Sequence, residues 1–255
     1  MTALKHLITK VIFLALLITF AESTWNKTHQ WTHSNDIFEA SFSPDGNYIA
    51  IASNDGNNCV YDAVAYQNTY CVSGGGSGYS AKFSDDQNYV AFGRQGDVAI
   101  YDASVLPTKT SITTLTSVYS QVEDLHFNPE SNKLITCGDS GYKIYAVPAW
   151  GSPIYTKSIG GVGMSCKFAK DNEHYAVGTT NGKIFVFNST HHQQWTLTPD
   201  SSATIYGLDF SPDSKYLLVG FGASTFRAKI YNAATGAPVA TLNAGGNDIY
   251  MVDWN

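Results

Sequence analysis

The sequence predicts an all-β fold of consecutive four-stranded antiparallel sheets, five complete and a sixth begun. Three observations predict it. An aromatic followed by a turn cluster recurs at intervals of 41 to 44 residues: Phe42 (FSPDG), Phe83 (FSDDQ), Phe127 (FNPES), Phe168 (FAKDN), Phe210 (FSPDS) and Trp254. A second aromatic follows each of the first five after 18 to 21 residues, at Tyr61, Tyr101, Tyr145, Phe187 and Tyr231. The segments between these anchors are short apolar runs bounded by turn residues, the signature of strands in a repeat array. Composition agrees, with 14% charged residues, 22 Gly, 16 Tyr and 13 Phe in 255 residues, a balance that favours strands and turns.

Each repeat opens with an inner strand. Two positions before the first anchor stand Ala40, Ala81, Leu125, Cys166, Leu208 and Val252, small or medium apolar groups expected on a buried strand face. Pro, Asp, Asn and Ser after the anchor suit a type I turn. The second strand (YIAIAS, YVAFG, KLITCG, YAVGTT, YLLVGF) is nearly continuously apolar, as in strands buried on both faces. Asp55-Gly56, Gln95-Gly96, Ser140-Gly141 and Asn181-Gly182 then supply two-residue hairpins. The third strand (NCVYD, VAIYD, YKIYA, IFVFN, AKIYN) ends at the second anchor, and a less apolar fourth strand follows (NTYCV, SITTL, PIYTK, QWTLT, PVATL).

Over residues 27 to 255 this text resembles the WD40 family of β-propellers, whose blades are four-stranded sheets around a central channel. FSPDG followed by a Y-I/V-A strand is close to the family pattern, and Tyr61-Asp62 and Tyr101-Asp102 stand where the family has Trp-Asp. No Gly-His dipeptide opens a repeat, and Ala146, Asn188 and Asn232 replace the Asp later on. The family's buried Asp-His-Ser/Thr-Trp network is therefore not carried over, and blades are expected to rest mainly on apolar packing. The sixth repeat stops after its inner strand, while in relatives the segment corresponding to HQWTH at 29–33 supplies the outer strand of the last blade. The expectation is an incomplete ring: 24–255 is either a fragment of a longer propeller or is closed by a partner or a second copy.

Residues 1–23 read as a secretory signal peptide: Lys5 and Lys10, an apolar run from Val11 to Ala21, then Ala21 and Ser23 spaced for cleavage near Thr24, with Ala21 as the alternative cut. That run reaches about 16 Å as a helix, half of a ~30 Å hydrocarbon core, so no permanent membrane span is expected. The predicted location is extracellular. N-linked glycans are expected at Asn26 (NKT) and Asn188 (NST). Four cysteines in an oxidising compartment allow three pairings. Cys59 and Cys71 bracket a turn between neighbouring strands and form the candidate disulfide; Cys137 and Cys166 are either a second bridge or buried thiols.

A net charge of −6 with no basic run excludes a nucleic-acid partner. Gly138-Asp139-Ser140-Gly141 copies a protease nucleophile motif but falls in register with the hairpin turns, without a histidine context upstream. His191-His192 lacks surrounding ligands, and the glycine loops at 73–78, 160–163 and 244–247 precede strands, so no metal, cofactor or catalytic residue is assigned. One position before the anchor, Ser41, Lys82, His126, Lys167, Asp209 and Asp253 interrupt the apolar inner strands; Lys167 and Asp209 either pair or separately line a wet channel. Four before it stand Phe38, Tyr79, Glu123, Met164, Tyr206 and Tyr250, whose aromatics Phe38, Tyr79, Tyr206 and Tyr250 either ring the channel opening as a contact surface or pack between blades. The resemblance implies a non-catalytic scaffold for protein partners or self-association, a structural extracellular module able to form oligomers or filaments. The competing reading is an extracellular propeller enzyme, a hydrolase or lactonase-like protein using a channel metal.

Overall fold

The computed structural model describes residues 33–116, 118–222, 228–242 and 248–254; the leader at 1–23, Asn26, the 29–32 stretch and the 244–247 glycine loop lie outside them. Five antiparallel sheets follow in chain order. The first holds β1 (Ile37–Phe42), β2 (Tyr48–Ser53), β3 (Asn58–Asp62) and β4 (Gln67–Val72). The second holds β5 (Gly78–Phe83), β6 (Tyr89–Arg94), β7 (Asp97–Asp102) and β8 (Ser111–Thr116). The third holds β9 (Val122–Phe127), β10 (Lys133–Gly138), β11 (Gly141–Ala146) and β12 (Tyr155–Ser158). The fourth holds β13 (Gly163–Phe168), β14 (His174–Thr179), β15 (Ile184–Asn188) and β16 (Gln193–Leu197), and the fifth β17 (Ile205–Phe210), β18 (Tyr216–Phe221), β19 (Ala228–Asn232) and β20 (Pro238–Leu242). Strands pair strictly with their sequence neighbours, so each sheet is a meander and each repeat is one blade.

The first turn of every blade is built locally. In blade one, Ser43 Oγ donates to Asp45 Oδ1 (2.6 Å), and Asp45 accepts from the Asn47 amide; Ser84 with Asp86 and Ser211 with Asp213 repeat the Ser–Asp bond. Four residues after the anchor the backbone turns left-handed, at Gly46, Gln87, Ser131, Asn172 and Ser214. Only the first of these five is a glycine, for which that conformation is free of Cβ strain. At the far end of the third strand, Asp62 and Asp102 accept backbone N–H groups of the next turn, and Asn188 and Asn232 do the same with their amide oxygens. Asp and Asn interchange here because the turn needs only an acceptor oxygen.

The core lies between blades. Val90 and Phe92 of β6 join Ala50, Ala52 and Val60 of blade one, while the intervening Ala91 turns to Val122, Leu125 and Leu134 of blade three. In the same way Tyr175 and Val177 of β14 face blade three, and Ala176 faces blade five. Alternate residues of one strand feed two different interfaces, which is why the middle strands read as unbroken apolar runs.

Three expectations differ from the structure. Of the turns expected as two-residue hairpins only Gln95-Gly96 is one at that position: residues 54–57 and 180–183 form four-residue loops, and in the third sheet the loop is Asp139-Ser140, with Gly141 already in β11. Ala40 is exposed and the Phe42 anchor is 66% exposed, whereas Phe83, Phe127, Phe168 and Phe210 are between 2% and 8%. Those four are covered by a preceding blade; among the described residues no sheet packs on that face of β1. The opening of the sixth repeat, residues 248–254, is not a strand. It lies along blade five through Ile249 N donating to Phe221 O (3.1 Å) and Trp254 N donating to Asp209 Oδ2 (2.7 Å), with no described strand to pair with. Gly207 permits the approach, since a Cβ there would meet Val252 N at 2.9 Å.

Candidate functional site

Each inner strand is paired on one side only, by the second strand of its blade, and successive inner strands lie beside one another. Bare strand edges carry N–H groups that must find acceptors. Side chains of the preceding blade supply them. Glu39 Oε2 accepts from Ala81 N (2.9 Å), Ser80 Oγ from Leu125 N (3.3 Å), Asp124 Oδ2 from Cys166 N (2.9 Å), His126 Nδ1 from Phe168 N (3.3 Å) and Asp209 Oδ2 from Trp254 N. These stitches explain the polar residues that interrupt otherwise apolar strands. Glu39, Ser80 and Asp124, three positions before the anchor, were not singled out by the sequence; that column breaks at Gly207 and carries no obvious periodic sign.

Electrostatically the channel wall is mostly self-satisfied. Lys82 contacts Glu39, and Lys167 lies 3.1 Å from Asp209, so those two form an ion pair across neighbouring blades. Burial works against the Lys82 charge, but Glu39 and Asp124 outweigh it and hold the ammonium above its usual range. Burial pushes Asp209 up, with Lys167 opposing. Asp124 also accepts from Ser80 Oγ and Ser165 Oγ (both 3.2 Å) and is pushed up to about 6 by burial and by the charge of Glu39. His126 is held well below its ordinary value by burial and the nearby lysines 167, 82 and 170, and is therefore a neutral acceptor.

This belt lines a cavity of about 460 Å³, whose rim we call the channel mouth. Phe38 stacks on Tyr79 (ring centroids 5.4 Å apart) and Tyr206 meets Tyr250 at a tilt (4.8 Å, 45° between planes), each pair bridging adjacent repeats. Glu123 and Met164 occupy the equivalent positions between the two pairs, and all six line the cavity. Gln121 Nε2 donates to Tyr79 Oη (2.8 Å) and fixes that ring. Phe38 and Tyr250 remain 46% and 67% exposed, so the aromatics both pack between blades and present surface.

Elsewhere, Cys59 and Cys71 lie opposite one another on β3 and β4 and are disulfide-bonded. Cys137 and Cys166 are free, buried thiols, both raised by burial. Asn188 ends β15, its Oδ1 accepting from Thr190 and His192 amides. His191 stacks on Tyr155 (4.0 Å) and bonds Tyr175 Oη (3.0 Å), apart from the channel. Ser140 sits in the β10–β11 hairpin, and the Asp139 carboxylate beside it accepts from Ser120 N (2.6 Å). Among the described residues no group of three or more His, Cys, Asp or Glu is placed to hold a metal, and no helix is long and apolar enough to cross a membrane.

Comparison with known proteins agrees with this architecture. Residues 25–62 match the WD domain, G-beta repeat, and residues 166–255 match the anaphase-promoting complex subunit 4 WD40 domain. The chain is similar to WD repeat-containing protein 1 of Bos taurus and of Gallus gallus, 25% identical to each over 232 residues, covering 84% of this chain and 36% of each relative. It is also similar to echinoderm microtubule-associated protein-like 2 of Mus musculus, 29% identical over 97 residues, 36% of this chain and 14% of that protein. The chain thus spans about a third of the length of the first two relatives. With WD40 matches near both ends and five four-stranded antiparallel sheets between and within them, the chain carries WD40 repeats in an architecture consistent with propeller blades; WD40 domains generally serve as protein-interaction scaffolds.

Proposed function

We propose that this chain is a secreted, glycosylated, non-catalytic propeller that holds a protein partner against the channel mouth. The observation that carries the reading is the convergence of Phe38, Tyr79, Tyr206 and Tyr250, from four different repeats, on one opening. Large aromatic rings at a partly exposed rim are the side chains that contribute most to protein recognition. The belt favours binding over chemistry, because its lysines and the Glu39 and Asp209 carboxylates are engaged with each other or with backbone N–H groups. Two matches bear names that place those proteins in assemblies, a complex subunit and a microtubule-associated protein, which suits a scaffold role here.

The test is expression of the full tagged chain in eukaryotic cells. Protein recovered from the medium should begin near Thr24 and lose mass on endoglycosidase treatment, through glycans at Asn26 and Asn188. Retention inside the cell with residues 1–23 intact would overturn the secreted part. Partners co-purifying with the chain should be lost when Tyr79, Tyr206 and Tyr250 are changed to Ala, and kept by Val239→Asp on the outer strand β20. Equal capture by both variants would remove the mouth as the docking face.

A further inference from the structure

Glu123 is the one member of the mouth ring that carries a charge. Among the described residues it forms no hydrogen bond and no ion pair, although burial and the neighbouring carboxylates Asp139 and Asp124 raise its proton affinity. The other charges lining the cavity do not answer it: the two lysines, Lys82 and Lys167, already contact Glu39 and Asp209, and the remaining lining carboxylates are Asp124 and Asp253. The opening is therefore acidic, with four carboxylates against two committed ammoniums. On either side of Glu123 and Met164 stand two aromatic pairs, Phe38 stacked on Tyr79 and Tyr206 tilted against Tyr250.

A partly desolvated carboxylate without a partner is unfavourable, and a cation placed beside it recovers that cost. Aromatic faces carry negative electrostatic potential and attract the same cation. An anionic group would be repelled by the rim, and a neutral aliphatic one would leave Glu123 unanswered. We propose that the mouth takes a cationic side chain, a lysine or arginine on an extended segment of a protein partner, with Glu123 as counter-charge and the two aromatic pairs as its walls. This rests on the reading of the mouth as the partner-binding face and adds the chemistry of what enters it.

The full chain is titrated with N-acetyl-L-arginine amide, N-acetyl-L-lysine amide and the neutral N-acetyl-L-norleucine amide, following the Met164 methyl and Tyr79 ring signals by NMR. Saturable shifts are expected with at least one cation, and binding about tenfold weaker or more with norleucine. Glu123→Gln should weaken the cation about tenfold without lowering the melting temperature, since it relieves the uncompensated charge, and Tyr206→Ala should weaken it independently. No saturable shift with either cation, equal binding of norleucine, or cation binding untouched by both substitutions would overturn the proposal. If the cations fail while the tyrosine variants still lose their partners, the charge assignment falls and the docking face stands; if partner capture also survives those variants, both fall.

Discussion

Phe42 and Phe127 hold the same place in their repeats, follow the same strand and precede the same kind of turn, yet one is 66% exposed and the other 2%. Nothing in their own segments separates them. Phe127 is covered by Ala91, Val98 and Ile100 of the preceding blade, and Phe42 has no described blade in front of it. The inner strand shows the same contrast: β9 has Leu125 fully buried, whereas the matching Ala40 of β1 is exposed. A blade in this molecule is half of two interfaces, and its stability is a property of its neighbours as much as of its own sheet.

The largest effect that tests this contrast is truncation of the two anchors. Phe127→Ala should cost about 3–5 kcal/mol in urea unfolding and Phe42→Ala less than about 1 kcal/mol. Equal costs would show that the β1 face is covered in solution, for example by a second copy. Next is the disulfide, which staples the same uncovered blade. Replacing Cys59 and Cys71 by Ala should cost about 3 kcal/mol for a link spanning 12 residues. Amide exchange should then quicken in β3 and β4 and stay slow in β10 and β11.

A subtler difference concerns the enclosed centre. Asp124 is raised above its unfolded value, so the fold favours its neutral form. The penalty on its charge is fully present above about pH 6 and fades as pH falls toward the unfolded value near 4. The stability of the wild type relative to Asp124→Asn should therefore rise between pH 7 and pH 4; a flat difference would mean the carboxylate titrates as if in water. His126, held neutral, loses stability in both proteins as the pH falls below its ordinary range, and that contribution cancels in the comparison. The smallest effects lie in the turns. Gly46→Ala should cost about 1 kcal/mol at φ +74°, and Gln87→Gly, at the equivalent left-handed position of blade two, should gain up to about 1 kcal/mol. Thermal melts of both variants check the pair.

Much of this was legible in the residues. The middle strands and the Cys59–Cys71 pairing follow from short-range patterns, and the structure realises the strands to within one residue; of the hairpins only Gln95-Gly96 is the two-residue loop expected at its position. The pairing of Lys167 with Asp209 was visible as one of two readings because equivalent positions of adjacent repeats must meet. The Glu39–Ala81 and Asp124–Cys166 stitches were not, since an acceptor's task depends on which bare amide the next blade brings to it. Nor was the state of Ala40 or of residues 248–254, whose partners lie outside their own repeats.

The sequence by itself determined the repeat length, the strand order within each blade and the turn chemistry, because those depend on contacts a few residues apart and on a side-chain alternation that the backbone imposes. Only the tertiary structure decided which apolar faces are covered, which channel carboxylates are neutralised and that Glu123 has no partner among the described residues. Those outcomes come from side chains about forty residues apart meeting at a common axis, where burial and charge are set by the neighbours and no local pattern encodes them.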